Sequence, residues 1–164
     1  MATTRSISEI VNKACELSTR EEKIAWLKEN NSQSIRTLLT VMYDRENFQW
    51  NIPNDSPPPY TPSPHVESHG MLYRQTRKIR YFIKGYDGDG LAQYRREFLF
   101  IELLESIDKN DAEFMIQVLL QKPPVGLPVD VVNEGLGLNL PLIQTNQAEE
   151  SAQPKKRGRK PKNG

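Results

Sequence analysis

Apolar residues recur at spacings of three and four along most of the chain, and this spacing predicts a series of amphipathic α-helices. No segment shows the sustained alternation of apolar and polar residues that is typical of a β-strand. The helices are expected over residues 6–17, 20–31, 34–42 (or from 32), 71–84, 91–107, 111–122 and 128–136. The predicted fold class is all-α: a compact multi-helix domain with a long proline-rich loop and a disordered basic C-terminal tail.

Local signals set several helix boundaries and faces. Thr19 followed by Glu22 matches a capping box, which predicts the start of the second helix. Either Asn110 or Asp111 is the expected N-cap of the sixth helix. In the fifth helix, the residues expected to face the core are Leu91, Tyr94, Phe98, Ile101 and Leu104.

Prolines interrupt the helical pattern between residues 51 and 70. Six of them rule out a helix and predict polyproline-like or irregular chain: Pro53, Pro57, Pro58, Pro59, Pro62 and Pro64. The large side chains expected to anchor this loop to the helical body are Phe48, Trp50, Ile52 and Tyr60. Alternatively, the loop binds a partner, because Pro57–Tyr60 has the pattern of a WW-domain ligand. His65 and His69 fall in the loop, and we expect both to be solvent-exposed.

Charge divides the chain into an acidic body and a basic end. The net charge is +1, yet residues 151–164 carry six of the 22 Lys and Arg residues and none of the 21 Asp and Glu residues. Residues 1–150 therefore have a net charge of −5. After residue 142 the composition becomes polar, which is typical of disorder. We expect a helical domain over residues 1–142, followed by a disordered linker and basic tail over residues 143–164.

The tail has the composition of a minor-groove ligand. Its cations surround an Arg-Gly-Arg core: Lys155, Lys156, Arg157, Gly158, Arg159, Lys160, Pro161 and Lys162. Arginine inserts into the narrow minor groove of A·T-rich DNA, glycine allows close approach, and proline keeps the strand extended. The segment resembles an AT-hook, although Lys160 separates Arg159 from the proline. A solubilising tail and a targeting signal are the alternatives.

A second group of cations lies on the predicted fourth helix, opposite its apolar face. Between residues 74 and 84 the chain has five cations and no acidic residue, and four of them are candidate DNA contacts: Arg74, Arg77, Lys78 and Lys84. The fifth is Arg80, and Arg95 and Arg96 are candidates to extend the patch. In an acidic body, such a concentration of cations favours contact with phosphates.

Candidate catalytic chemistry is sparse. Lys84 and Asp87-Gly88 approximate the Lys-x-Asp-Gly motif of nucleotidyl transferases, but two residues rather than one separate them. The glycines predict a tight turn between helices instead. One cysteine and two histidines supply neither a disulfide nor a zinc-ligand set. We therefore expect no enzyme activity, catalytic residue, cofactor, metal or small-molecule substrate. We also expect a cytoplasmic protein, because no apolar stretch of 18 residues is present.

Three stretches carry a resemblance to a known domain: Ser6–Tyr43, Gly70–Leu72 and Arg96–Leu136. The last has a helix ending in an acidic turn, an Asp-Ala helix, a glycine-containing loop, and a short helix before a Gly-Leu pair. The body resembles the N-terminal, all-helical DNA-binding domain of phage-type ATP-dependent DNA ligases, without the catalytic domains. It also resembles an uncharacterised family of small proteins of tailed bacteriophages. The first resemblance implies contact with duplex DNA through the backbone, without strand joining.

Together these patterns predict a non-catalytic accessory protein that binds double-stranded DNA, with a possible A·T-rich preference, in phage DNA metabolism. In a phage-infected cell it would lie in the host cytoplasm or nucleoid. The alternative is an adaptor that binds a replication or transcription protein, with the tail only tethering it to DNA.

Overall fold

The computed structural model describes residues 5–62 and 71–141, and within these ranges the chain forms seven α-helices. They are α1 (Ile7–Glu16), α2 (Arg20–Glu29), α3 (Gln33–Tyr43), α4 (Met71–Gln75), α5 (Gln93–Glu105), α6 (Lys109–Leu119) and α7 (Val129–Leu136). Two 3₁₀-helical segments follow α4, over Thr76–Tyr81 and Asp87–Gly90. The described residues contain no β-strand, only an antiparallel bridge between Trp50 and Ile83. The predicted all-α class is therefore confirmed.

Side-chain caps fix the starts of four helices. Ser6, Thr19, Ser32 and Asp108 each accept a hydrogen bond from the backbone N–H three residues further on. At α2 the capping box predicted from Thr19 is complete. The predicted cap of α6 was wrong. Asp108 occupies that position, since its backbone is extended and its Oδ1 accepts from the Asp111 N–H at 2.8 Å.

The main core lies where α1, α2, α3, α6 and α7 pack together. Helices α2 and α7 approach closely at Gly135, where a Cβ would lie 2.7 Å from the Cβ of Leu27. The buried Tyr43 hydroxyl donates to the Leu127 carbonyl at 2.7 Å, which ties α3 to the segment before α7. Burial raises the pKa of Tyr43 far above its usual range, so the phenol stays protonated and continues to donate.

The inward face predicted for α5 was right at Leu104 and wrong at its two aromatic residues, while Leu91 and Ile101 are half-buried. Tyr94 and Phe98 are 79% and 54% exposed, and the buried residues of the helix are Phe100, Leu103 and Leu104. Two apolar stripes compete on this helix, and their spacing does not distinguish them. A tertiary contact determines which stripe is buried: Phe100 packs edge-on against Trp50, with the ring centroids 5.6 Å apart.

The fourth predicted helix is not continuous either. It ends as an α-helix at Gln75 and as a 3₁₀-helix at Tyr81, so Lys84 lies outside it. Beyond Tyr81 the chain leaves the helix, because the Asn51 N–H donates to the Phe82 carbonyl and the Lys84 N–H donates to the Gln49 carbonyl, both at 2.8 Å. A contact distant in sequence thus overrides the local helical pattern.

Residues 51–62 form irregular chain that lies against α5 and α6. Among the four large side chains named as anchors, Trp50 and Ile52 are buried, while Phe48 and Tyr60 are half-buried. The Thr61 N–H donates to Glu105 of α5 at 2.8 Å. The predicted positions of His65 and His69 lie outside the described residues.

A search of the helices within the described ranges finds none that has both the length and the apolar character needed to span a bilayer.

Candidate nucleic-acid interface

The predicted basic patch begins in α4 and continues along the 3₁₀-helix. The Thr76 hydroxyl donates to the Leu72 carbonyl at 2.6 Å, at the point where the α-helix tightens. Side chains three residues apart eclipse one another in a 3₁₀-helix. Arg77 and Arg80 therefore lie one above the other, and both are exposed. Thr76 and Ile79 hold the opposite side of this segment in the core.

The other predicted cations of the patch lie on either side of this pair. Arg74 is exposed at the end of α4, and Lys78 is half-buried within the 3₁₀-helix. Lys84 is exposed and lies beyond the helix, in the segment whose backbone pairs with residues 49–51. The four body residues predicted as DNA contacts thus occupy one continuous segment, but not one face of one α-helix.

The segment after Lys84 forms a turn, as the glycines predicted. Gly85 has a φ of +92°, which glycine adopts without strain. The Asp89 carboxylate accepts from the Gly85 N–H at 2.6 Å and from the Asn51 side chain at 3.2 Å. These two bonds, led by the one from Gly85, hold the pKa of Asp89 below its usual value. Gly88 packs so closely on the Tyr81 carbonyl that a Cβ there would overlap it.

Arg80 and Asp87 form the ion pair of this region. Their nearest atoms are 3.0 Å apart, and both side chains are about half exposed. In the described part of the chain, Arg74, Arg77, Lys78, Lys84 and Arg95 form no ion pair. Their charges are therefore available to an external anion.

The two arginines proposed to extend the patch have different surroundings. Arg96 is half-buried, and its guanidinium donates to the carbonyls of Asn51 (2.9 Å), Gly88 (3.3 Å) and Leu91. It holds the turn against the start of α5, so we infer a positioning role for it, and its predicted contact with DNA stays a prediction. Arg95 is exposed, with its guanidinium 5.8 Å from the centroid of the Phe98 ring.

Charge is strongly segregated along the folded body. Residues 74–96, which we call the basic region, contain seven Lys and Arg residues and two Asp residues, giving a net charge of +5. The rest of residues 1–150 contains nine basic and nineteen acidic residues, giving −10. The basic region therefore offers a phosphate backbone an attractive site, whereas the rest of the body has a net charge that repels it.

Sequence reasoning missed the exposed aromatic residues at this site. Tyr86 is 49% exposed in the turn, and Tyr94 and Phe98 are exposed on α5. The signal available was the alternation of aromatic and basic residues at Tyr94-Arg95, but the apolar spacing of α5 assigned both aromatic rings to the core. The eight predicted tail contacts, residues 155–162, lie beyond the described part of the chain.

A second polar cluster joins the starts of α1 and α6. The fully buried Asp111 accepts from the Ser8 N–H at 3.0 Å, which supplies α1 with a further cap. Burial, and then the nearby Asp108 carboxylate, raises the pKa of Asp111. The adjacent 470 Å³ cleft is lined by Glu9 and Glu16, with Lys13 as its cation, and is unsuited to a phosphate.

Comparisons with known proteins place the chain in a family. A family model described as "Family of unknown function (DUF6433)" matches residues 10–122, more than two thirds of the chain. No curated protein matches the chain, and no solved structure does.

Proposed function

This chain belongs to the family of unknown function DUF6433, and we propose from its own residues that it is a non-catalytic accessory protein that binds duplex DNA. The resemblance to the DNA-binding domain of phage-type ligases supports a role in phage DNA metabolism. The site proposed on the body is the basic region, and the tail adds a second contact.

The charge segregation of the body is the observation that carries this proposal. A net charge of +5 over residues 74–96 contrasts with −10 over the rest of residues 1–150. Random placement of charge on a surface would intersperse the two signs, as most soluble proteins do. Phosphate contacts from Lys and Arg supply most of the affinity in non-specific DNA binding. Exposed Arg74, Arg77 and Lys84 are the side chains best placed to make them.

The tail strengthens the same interaction. Its six cations lie in residues 151–164, and Arg157 and Arg159 flank the glycine that would approach the floor of the minor groove. Joining two weak sites in one chain makes the second contact intramolecular, which raises the overall affinity without any new contact.

The proposal is tested by fluorescence anisotropy with a labelled 20-base-pair duplex across a salt series. Arg74→Gln/Arg77→Gln should weaken binding and lower the steepness of log K against log [salt] by about 2, from about 0.9 per phosphate contact. Arg45→Gln/Lys109→Gln is the matched control, since both cations are exposed and lie outside the basic region. Equal losses in the two variants would show that only overall charge matters, and would refute a site at the basic region.

The exposed Tyr94 and Phe98 also favour the adaptor function, in which the body binds a replication or transcription protein. A pull-down repeated after nuclease treatment distinguishes the two. A partner retained by the wild type after nuclease and lost by Tyr94→Ala/Phe98→Ala supports the adaptor. A partner lost on nuclease treatment was held through DNA.

A further inference from the structure

We propose that Tyr86, Tyr94 and Phe98 form a stacking surface for unpaired bases, so that the body binds single-stranded DNA as well as duplex. This inference rests on the proposed function, because the cations of the basic region would hold the phosphates of the same strand. It extends that function by assigning a role to the aromatic side chains.

The first observation is the concentration of exposed aromatic rings. Large apolar side chains exposed singly are normal on a protein surface. Among the described residues, four such side chains are exposed, and three of them are aromatic: Tyr86, Tyr94 and Phe98. All three lie within or just beyond the basic region, and the fourth, Val125, does not. The exposed rings therefore coincide with the cations instead of being scattered.

The second observation is the arrangement on α5. Tyr94 and Phe98 are four residues apart, so their rings lie next to each other on one side of the helix. Arg95 lies beside them, with its guanidinium 5.8 Å from the Phe98 centroid. Aromatic rings next to cations are the features by which proteins bind single strands without regard to sequence. Two carboxylates border this surface: Glu97, which accepts a hydrogen bond from the Gln93 side chain at 2.8 Å, and Glu102, one helical turn beyond Phe98.

The third observation is a recess under Tyr86. It has a volume of 130 Å³ and is lined by apolar side chains that include Phe48, Ile79 and Ile83. Arg80 also lines it, which places a cation next to the apolar wall. Since no carboxylate lines the recess, its apolar wall is suited to the face of a base. Arg80 is paired with Asp87 at 3.0 Å, so contact with the phosphate falls to the neighbouring cations Arg77 and Lys84.

The same features explain why single-stranded DNA fits better than duplex or a protein partner. In a duplex the base faces are stacked on one another and are not accessible to Tyr94 or Phe98. A protein interface places aromatic residues in a core from which charge is depleted. Here Tyr86 and Tyr94 lie within residues 74–96, a segment with a net charge of +5, and Phe98 lies two residues beyond it. That charge complements a polyanion.

The Arg96 contacts keep the two parts of the surface together. Its guanidinium donates to the carbonyls of Gly88 and Leu91, which fixes the turn that carries Tyr86 against the first turn of α5. Tyr86 and Tyr94 thus belong to neighbouring elements in a fixed relation.

The test measures anisotropy of labelled 20-nucleotide oligothymidine and of a 20-base-pair duplex, using the full chain. Tyr94→Leu/Phe98→Leu keeps the apolar surface and removes the rings, so it should weaken oligothymidine binding about tenfold or more, because stacking contributes on this order for each base. Its affinity for duplex should change less than twofold. Tyr94→Phe keeps the ring and is the matched control, expected to bind both DNAs within twofold of wild type.

Each other result overturns the inference. If the leucine variant binds oligothymidine as well as wild type does, the rings do not stack on bases. If the wild type binds duplex but not oligothymidine, the inference fails while the proposed function stands. If it binds neither, the proposed function fails too. Tighter binding of oligouridine than of oligothymidine would assign the surface to RNA. If the wild type does not bind oligothymidine but forms a dimer, and Tyr94→Ala/Phe98→Ala dissociates that dimer, the surface binds a second copy of the chain.

Discussion

Adjacent arginines at the start of α5 should have opposite effects when each is replaced by methionine, which keeps the aliphatic part of the side chain. Arg96 donates three hydrogen bonds to backbone carbonyls, and Arg95 is exposed and donates none within the described residues. We expect Arg96→Met to lower the free energy of unfolding and to leave the phosphate contacts with duplex DNA intact. We expect Arg95→Met to leave the free energy of unfolding nearly unchanged and to remove a phosphate contact.

The magnitude follows from the contacts of Arg96. Hydrogen bonds to a charged group contribute about 1.5–3 kcal/mol each when buried. The guanidinium is only half-buried and one of its bonds is long, at 3.3 Å, so the expected loss for all three is about 2–4 kcal/mol. At about 3 °C per kcal/mol for a domain of this size, the Tm should fall by about 6–12 °C. Arg95→Met should change the free energy of unfolding by less than about 0.5 kcal/mol.

The assay pairs urea unfolding with the salt dependence of duplex binding. Arg95→Met should lower the steepness of log K against log [salt] by about 0.9, and Arg96→Met should leave it unchanged under conditions where both variants are folded. Equal destabilisation by the two substitutions would refute the positioning role of Arg96. A loss of salt dependence in Arg96→Met alone would place the phosphate contact at Arg96 instead of Arg95.

The remaining predictions concern the turn, the buried carboxylate and the tail. Gly88→Ala should lower the free energy of unfolding by about 3 kcal/mol in a urea titration, because its Cβ would overlap a backbone carbonyl; Gly90→Ala, where nothing lies within 4 Å, should be nearly neutral. The folded-state pKa of Asp111 is raised, so its contribution to stability decreases as pH rises from about 4 through that pKa. Asp111→Asn should therefore gain stability relative to wild type over that range, and a constant difference across pH in urea unfolding would contradict this. Arg157→Ala/Arg159→Ala should reduce any preference for A·T-rich over G·C-rich duplex in a competition shift assay, and an unchanged preference would place it elsewhere.

Local signals in the sequence were sufficient for the fold class and for several helix starts. The Thr19 capping box is complete because both its partners lie within four residues and need no tertiary contact. The face of α5 could not be predicted, since it depends on Trp50, a residue distant in sequence that packs against Phe100. The break after Tyr81 has the same kind of cause, because residues 82–84 pair with residues 49–51.

The candidate site was predictable in part. The run of cations from Arg74 to Lys84 is visible in the sequence, because no acidic residue interrupts it. The difference between Arg95 and Arg96 is not visible there. It depends on the folded position of the backbone carbonyls of Asn51, Gly88 and Leu91, which accept hydrogen bonds from Arg96. The exposed rings of Tyr94 and Phe98 were missed because an apolar residue on a helix is more often buried than exposed.

Salt-dependent binding of duplex DNA by the full chain and by residues 1–150 tests the central claim most directly. Five cations of the basic region form no ion pair with any described residue: Arg74, Arg77, Lys78, Lys84 and Arg95. If all five contact phosphates, residues 1–150 should show a slope of about −4.5 in log K against log [salt]. The six tail cations should bring the full chain to about −10. No measurable binding by residues 1–150 in dilute buffer would contradict a DNA site on the body.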